Sequence, residues 1–144
     1  MAGVLALAFA TSVAARAQEP QPAGADAGDC AGKARLRGLE FSHDGTEIDG
    51  ADAAILDLVA DAIKKNCTGK TVTIEGHASI SEGSAEHNQK LSLNRAEAVR
   101  DYLISRGLPA EQLKAVGYGS TRPLTNDPSP AAQKVNRRIT LVAS

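Results

Sequence analysis

The stretch GHASISEGSAEHNQKLSLNRAEAV, residues 76–99, covers the passage from a strand into a helix. The overlapping residues 70–77 alternate apolar and polar side chains, which predicts a strand. At about 100° per residue, a helix over residues 85–106 places Arg95 on the same side as Leu91 and the apolar residues that follow. An arginine on a buried face needs an acceptor for its charge, and a guanidinium matches a carboxylate through two hydrogen bonds. Arg95 is therefore a candidate ligand-binding residue, unless its stem packs flat and its charged end reaches water.

The loop between this strand and helix has a composition that suits a ligand. Residues 78–84 are mostly small and polar, and Gly83 allows a close approach to the backbone. Ligands commonly bind just beyond the C-terminal ends of strands in α/β proteins, and the free N–H groups at a helix start favour an anion. The loop therefore predicts an anion-binding site beside Arg95.

The rest of the chain supplies one more helix and three more strands. Residues 51–66 have helical periodicity, with Asp49 as a plausible N-cap and lysines in the last turn. Strands are predicted over residues 34–41, 111–119 and 136–144, and one helical turn is predicted in the loop before the last of them. The order β-α-β-α-β-β predicts a mixed α/β (α+β) domain with both helices packed on one face of a sheet.

Composition limits the classes of partner. The chain has 144 residues, with 16 basic and 17 acidic side chains and only 3% aromatic residues. Binding to nucleic acid needs an excess of basic residues, and stacking on bases needs aromatic side chains. We therefore expect one domain that does not bind nucleic acid.

The N-terminal region is divided into three segments. Residues 4–15 are apolar and alanine-rich over about the length of a signal-peptide core, and small residues precede a cleavage site before Gln18. This predicts a signal peptide over 1–17, a flexible lead-in over 18–29 and a domain over 30–144; the alternative is an N-terminal core helix. The predicted mature chain contains no other long apolar segment, so no membrane-spanning helix is predicted in it.

Two cysteines, Cys30 and Cys67, lie in the predicted mature chain. An even number of cysteines in an exported protein favours a disulfide between them. Two free thiols in a reducing compartment are the alternative.

The second half of the chain carries an ordered series of motifs after GLEFSHDGTEI, residues 38–48. They are Gly76-His77, Asn88, Leu91-Ser92, Arg95-Ala96, Val99, Gly117-Tyr118-Gly119, Pro123 and Asn136-Arg137-Arg138-Ile139. From about residue 34 to the end, the chain resembles the OmpA-like C-terminal domain, the peptidoglycan-binding module of Pal and MotB. The cysteine pair also resembles that of some family members. The resemblance implies a non-enzymatic periplasmic domain, associated with the cell wall or outer membrane, that binds the diaminopimelate of peptidoglycan stem peptides.

The resemblance also implies roles for particular residues. In the family, the helix arginine binds the carboxylate of diaminopimelate, and the aspartate of a G-H-T-D motif binds the ammonium of the same diaminopimelate. Here that Thr-Asp pair is Ala78-Ser79, so the resemblance predicts an affinity weakened by the neutral Ser79, because charge-assisted hydrogen bonds are about twice as strong as neutral ones. Glu82 and Asp44 are the acids that could replace the lost charge, or else they are solvated loop residues. The predicted ligand-binding set is therefore Arg95, Ser79, Asp44, Glu82 and Ala78.

Structural roles are expected for Asn88 at the helix start, for Arg138 in a structural pair, and for both cysteines. The assignment of Arg95 to a ligand would fail if an internal acid already bound its guanidinium and no cavity surrounded it.

Three other functions are less consistent with the sequence. A hydrolase using His77 and Ser79 would lack a nucleophile elbow, and the three histidines (His43, His77 and His87) have no recognisable metal-ligand spacing. No enzymatic activity, metal or cofactor is therefore predicted. The stronger alternative is a module of the same fold that has lost wall binding and docks to another envelope protein.

Overall fold

The computed structural model describes Gly24–Ala25, Cys30 and residues 32–144. The predicted signal peptide and most of the predicted lead-in lie outside these residues. The strands are β1 (Gly24–Ala25), β2 (Gly32–Glu40), β3 (Val72–Gly76), β4 (Leu113–Gly117) and β5 (Arg138–Ala143). The α-helices are α1 (Gly50–Asn66), α2 (Ala85–Ser105) and α3 (Pro130–Gln133), and short 3₁₀ helices span Ile80–Glu82, Ala110–Gln112 and Lys134–Asn136.

The strands form one sheet in the order β1-β2-β5-β3-β4. β3 and β4 are parallel, whereas β5 is antiparallel to both β3 and β2. β2, β3 and β4 therefore run in the same direction, and the loops that follow them meet at one end of the sheet. These loops are residues 41–49, 77–84 and 118–129, and we call this end the loop end.

The α/β architecture with its four main strands and two long helices is confirmed. The two-residue strand β1 was not expected, because a pairing of Gly24 with Arg37 and of Ala25 with Leu36 is too short to leave a periodic pattern in the sequence. The single helical turn predicted before the last strand is α3, which Pro130 begins and the Ser129 side chain caps.

Helix α1 begins and ends as its sequence predicts. The Asp49 side chain accepts a hydrogen bond from the Asp52 N–H at 2.8 Å, which satisfies one of the free donors of the first turn. Lys64 and Lys65 lie in the last turn, where cations interact favourably with the helix dipole. The buried side of α1 consists mainly of aliphatic residues: Ile55, Leu56, Val59, Ala60 and Ile63.

Helix α2 lies directly on the sheet because two glycines remove side chains beneath it. A Cβ atom at Gly117 would lie 2.5 Å from the Leu93 backbone N, and one at Gly76 would collide with the Ser92 carbonyl. The helix is capped by Ser84, whose hydroxyl accepts from the His87 N–H. The close contact fixes where α2, and therefore Arg95, stands relative to the end of β3.

Both long helices pack on the same face of the sheet. Val72 and Ile74 of β3, together with Ile139 and Leu141 of β5, join the apolar sides of α1 and α2 in one core. Because side chains alternate along a strand, the opposite face carries polar residues that the segment after β4 helps to bury: Glu75, His77, Arg138 and Thr140.

The predicted disulfide is present between Cys30 and Cys67, whose Cα atoms lie 5.5 Å apart. This separation is ordinary for a disulfide. Cys67 is the C-cap of α1, so the bond ties the residue at the start of the predicted domain to the end of the first helix.

Candidate functional site

The loop end of the sheet is built around Arg95, which is fully buried with 0% exposure. The helical periodicity correctly predicted that this residue faces inward. Its side chain reaches the first two of the three loops, and its guanidinium carbon lies 5.2 Å from the centre of the Phe41 ring. A buried charge of this kind is tolerated only when its donors are satisfied.

Every N–H group of the Arg95 guanidinium has an acceptor inside the protein. Nε donates to the Gly45 carbonyl at 2.8 Å. Nη1 donates to the His77 carbonyl at 3.1 Å and to Glu82 Oε1 at 2.9 Å. Nη2 donates to the Ser42 carbonyl at 3.1 Å and to Glu82 Oε2. Arg95 therefore joins the first loop, the end of β3 and the 3₁₀ turn that carries Glu82.

The Glu82 carboxylate is held as completely as its partner. Besides the two bonds from Arg95, it accepts from the Ser79 N–H at 2.9 Å, the Ser79 hydroxyl at 3.2 Å and the Asp44 N–H at 2.7 Å. We call the group of donors from Arg95, Ser79 and Asp44 the carboxylate cradle. Burial by itself raises the pKa of Glu82, but the bonds from Arg95 and from the two amides outweigh burial and lower that pKa below its ordinary value.

A second side-chain contact lies at the rim of the cradle. Asp44 Oδ1 and His87 Nε2 are 2.5 Å apart, and both side chains are about half exposed. Asp44 has a positive φ of 57°, a conformation that aspartate tolerates better than most residues. This backbone turn lets one residue donate its N–H into the cradle while its carboxylate remains at the surface.

The neighbouring residues of α2 hold the loops in position. The buried Asn88 amide donates to the Ser79 and Gly83 carbonyls, each at 3.2 Å, and to the Ser120 hydroxyl at 3.4 Å. Asn88 therefore ties both ends of the 3₁₀ turn to the helix.

Arg138 also has structural contacts. It donates to the Arg122 carbonyl at 2.9 Å and to the Asn136 carbonyl at 3.5 Å, on the polar face of the sheet. Both of these acceptors are backbone carbonyls.

The structure brings all five predicted ligand-binding residues together, but not as an open pocket. Ala78, Ser79, Glu82 and Arg95 are buried, and only Asp44 is exposed. An internal acid does bind the Arg95 guanidinium, because Glu82 occupies it. The expectation that Glu82 stands ready for an ammonium is not met here, since its carboxylate faces Arg95. The roles of these residues toward a ligand stay predictions.

His87 is the residue that the sequence interpretation missed as part of this site. The sequence suggested it only as a metal ligand, and its pairing with Asp44 joins positions 43 residues apart. Within the described residues, no group of three or more histidine, cysteine or acidic side chains is placed to hold a metal ion. Ser79, the residue considered as a nucleophile, is buried and bonded to Glu82.

Comparison with known proteins places this fold and site in a family. The sequence model of the OmpA family matches residues 40–137 of this chain. The chain belongs to the OmpA family. The match includes Asp44, the 3₁₀ turn and helix α2, so the carboxylate cradle lies entirely within the OmpA-family region.

A curated relative of this OmpA-family chain is the peptidoglycan-binding protein ArfA of Mycobacterium tuberculosis. The two are 37% identical over 106 residues, which are 74% of this chain and 32% of ArfA. The chain thus spans about a third of the length of this relative.

Two solved structures have the same fold. The peptidoglycan-associated lipoprotein of Burkholderia pseudomallei matches with a TM-score of 0.69 at 27% identity, over 79% of this chain and 91% of that one. The periplasmic domain of Helicobacter pylori MotB matches with a TM-score of 0.69 at 23% identity, over 78% and 74%. These relatives are binding and envelope proteins rather than enzymes. In the described part of this chain, no helix combines the length and apolarity needed to cross a bilayer.

Proposed function

We propose that this OmpA-family domain binds peptidoglycan non-covalently in the periplasm of a Gram-negative envelope. The proposal is supported by the name of the relative ArfA and by that of the peptidoglycan-associated lipoprotein with the same fold. As a wall-binding domain, it would be associated with the cell wall or outer membrane.

The carboxylate cradle is the observation that carries the proposal. It directs two N–H groups of Arg95 and the backbone N–H groups of Ser79 and Asp44 at a single carboxylate, which in this structure is that of Glu82. Planar, bidentate arginine contacts are selective for carboxylate and phosphate groups. Diaminopimelate presents a carboxylate and an ammonium on one carbon, and Asp44 at the rim has a carboxylate for the ammonium.

Ser79 makes the proposed affinity weaker than that of family members with aspartate at this position. The hydroxyl of Ser79 carries no charge, and it is already bonded to Glu82. Replacing a charged hydrogen-bond partner with a neutral one costs about 1–2 kcal/mol, a factor of about ten in affinity. In a Glu82→Gln background, where no second buried carboxylate lies beside it, Ser79→Asp should therefore tighten the binding of a diaminopimelate-containing peptide in calorimetry relative to Glu82→Gln alone, and an unchanged or weaker affinity would refute this role.

Co-sedimentation with purified sacculi tests wall binding directly. The wild-type chain should sediment with sacculi. Arg95→Lys keeps one charge but loses the bidentate geometry, so it should sediment at least tenfold more weakly. Lys90→Ala, at an exposed position of the same helix, is the matched control and should bind like the wild type. Equal binding by Arg95→Lys and the wild type would exclude the cradle as the wall site.

A protein-interaction module is the second candidate, and one observation favours it. The Arg95 guanidinium is saturated by internal acceptors, as expected of an arginine that only stabilises the fold. In that case neither the wild type nor any cradle variant would sediment with sacculi, and the partner would be another envelope protein.

A further inference from the structure

We infer that Glu82 is a tethered internal ligand of the carboxylate cradle, which an external carboxylate must displace in order to bind. The identity of that external ligand as the wall peptide rests on the proposed function. The cradle itself is defined by contacts within the chain.

The first support is the chemistry of the contact. Glu82 receives four charged or backbone N–H donors and one hydroxyl, which is the full complement that a free carboxylate would seek. Its side chain and that of Arg95 are both completely buried. A second carboxylate cannot share this position, because two like charges in one buried site repel each other.

The second support is that Glu82 is the only buried residue of the turn that carries it. Within Ile80–Glu82, Ile80 is 51% exposed and Ser81 is also exposed, so Glu82 alone among the three anchors the turn in the interior. A further contact of the turn joins the Ser81 carbonyl to His43 at the surface, at 3.2 Å. Lifting the turn would therefore expose the cradle without removing any apolar side chain from the core.

The third support is that the residues on both sides of the turn are also bonded to helix α2. Asn88 binds the Ser79 carbonyl on one side and the Gly83 carbonyl on the other. Gly83 has φ 159°, at the edge of the range that L residues rarely adopt. The proposed displacement therefore moves the middle of the turn between two points that Asn88 holds.

The Asp44 carboxylate at the rim also has an internal partner. His87 occupies the Asp44 carboxylate, as Glu82 occupies Arg95. An amino-acid zwitterion would replace both internal partners. Its carboxylate would bind the cradle in place of Glu82, and its ammonium would bind Asp44 in place of His87. The chemical class of the displacing ligand is therefore an α-amino carboxylate.

Internal occupancy lowers the apparent affinity by the fraction of molecules in which the cradle is free. If that fraction is roughly 1–10%, removing the internal ligand tightens binding by about tenfold to a hundredfold. Glu82→Ala vacates the cradle, and Glu82→Gln keeps the shape of the side chain but removes its charge. Glu86→Ala is the matched control, because Glu86 is an exposed acid at the start of the same helix.

The test uses the full chain with free diaminopimelate as the probe and cadaverine, the same diamine without carboxylates, as the control ligand. Thermal unfolding should show that diaminopimelate raises the melting temperature of Glu82→Ala by several degrees, while cadaverine does not. The wild type and Glu86→Ala should respond much less to diaminopimelate. If Glu82→Ala does not fold alone, Glu82→Gln should show the same preference in calorimetry, with at least tenfold tighter binding than the wild type.

The outcomes separate this inference from the proposed function. Equal affinity of the wild type and both Glu82 variants for diaminopimelate would overturn the inference, and wild-type binding to sacculi would then still support the wall proposal. Tighter binding of diaminopimelate by the variants supports the internal-ligand role. It does so even if no form sediments with sacculi, in which case only the proposed function fails.

Discussion

Arg95 and Glu82 form a buried ion pair in which each partner also binds the backbone of several segments. The energetic cost of burying two charges is offset only because the remaining donors and acceptors are also satisfied. Removing one partner would leave the other charge buried and unpaired. The pair should therefore contribute to stability as well as to any binding by the loop end.

Arg95→Met should lower the free energy of unfolding by about 3–5 kcal/mol, the usual cost of leaving a buried charge without its partner. Glu82→Gln should cost less, and the double variant should cost less than the sum of the two single changes, measured by urea unfolding. Lys90→Met, exposed on the same helix, should change stability by less than about 0.5 kcal/mol. Additive effects of the two changes would show that the side chains do not interact.

The lowered pKa of Glu82 predicts a dependence of stability on pH. From its ordinary pKa of 4.5, the group is shifted downward in the folded state, so the unfolded chain binds the proton more readily. The contribution of Glu82 is therefore complete above about pH 5 and is lost as the pH falls through its folded-state pKa. The stability difference between the wild type and Glu82→Gln should be constant near neutrality and shrink in acid. A difference that stayed constant at low pH would contradict this.

At the residue scale, the sequence predicted which side chains meet but not how they pair. The helical period placed Arg95 inward, and the resemblance brought Asp44 and Glu82 to the same end. The pairing of Arg95 with Glu82 depends on the conformation of the 3₁₀ turn, and that of His87 with Asp44 on a long-range contact. Neither leaves a periodic signal.

At the scale of elements, two glycines set the position of α2 on the sheet. Gly117→Ala should destabilise the domain by several kcal/mol, because the added methyl group would overlap backbone of α2 and force the helix away. Gly50→Ala is the matched control, since no atom lies within 4 Å of the position that its added Cβ would take. It lies in the first turn of α1 and should be neutral or stabilising by up to about 1 kcal/mol. Circular dichroism during urea unfolding measures both, and equal effects would refute the close-packing explanation.

The long helices and main strands were predictable because their apolar periods and end signals agree. Asp49 marks the start of α1 and the lysines mark its end, whereas the Gly-Leu-Pro segment after residue 106 marks the end of α2. The short elements were not predicted in detail, because a two-residue strand or a single 3₁₀ turn is determined by tertiary contacts. The turn that carries Glu82 belongs to this second class.

At the scale of the whole molecule, the disulfide closes a loop with a sequence separation of 37 residues. In the chain-entropy model, a loop of this length contributes about 3–4 kcal/mol. The double variant Cys30→Ser/Cys67→Ser should lose about that much in urea unfolding, and reduction of the wild type should have a similar effect. Unchanged stability after complete reduction would show that the bond does not stabilise the domain.

We propose that the whole domain binds peptidoglycan through one carboxylate-binding site. Competition on intact sacculi tests this most directly, because it needs no variant that could unfold. The wild-type chain is sedimented with purified sacculi while a soluble diaminopimelate-containing stem peptide is added in increasing amounts. We predict that the chain sediments with the sacculi and that the fraction released into solution increases with the amount of added peptide. A chain that does not sediment, or that stays on the sacculi at saturating peptide, would contradict binding through the Arg95 cradle.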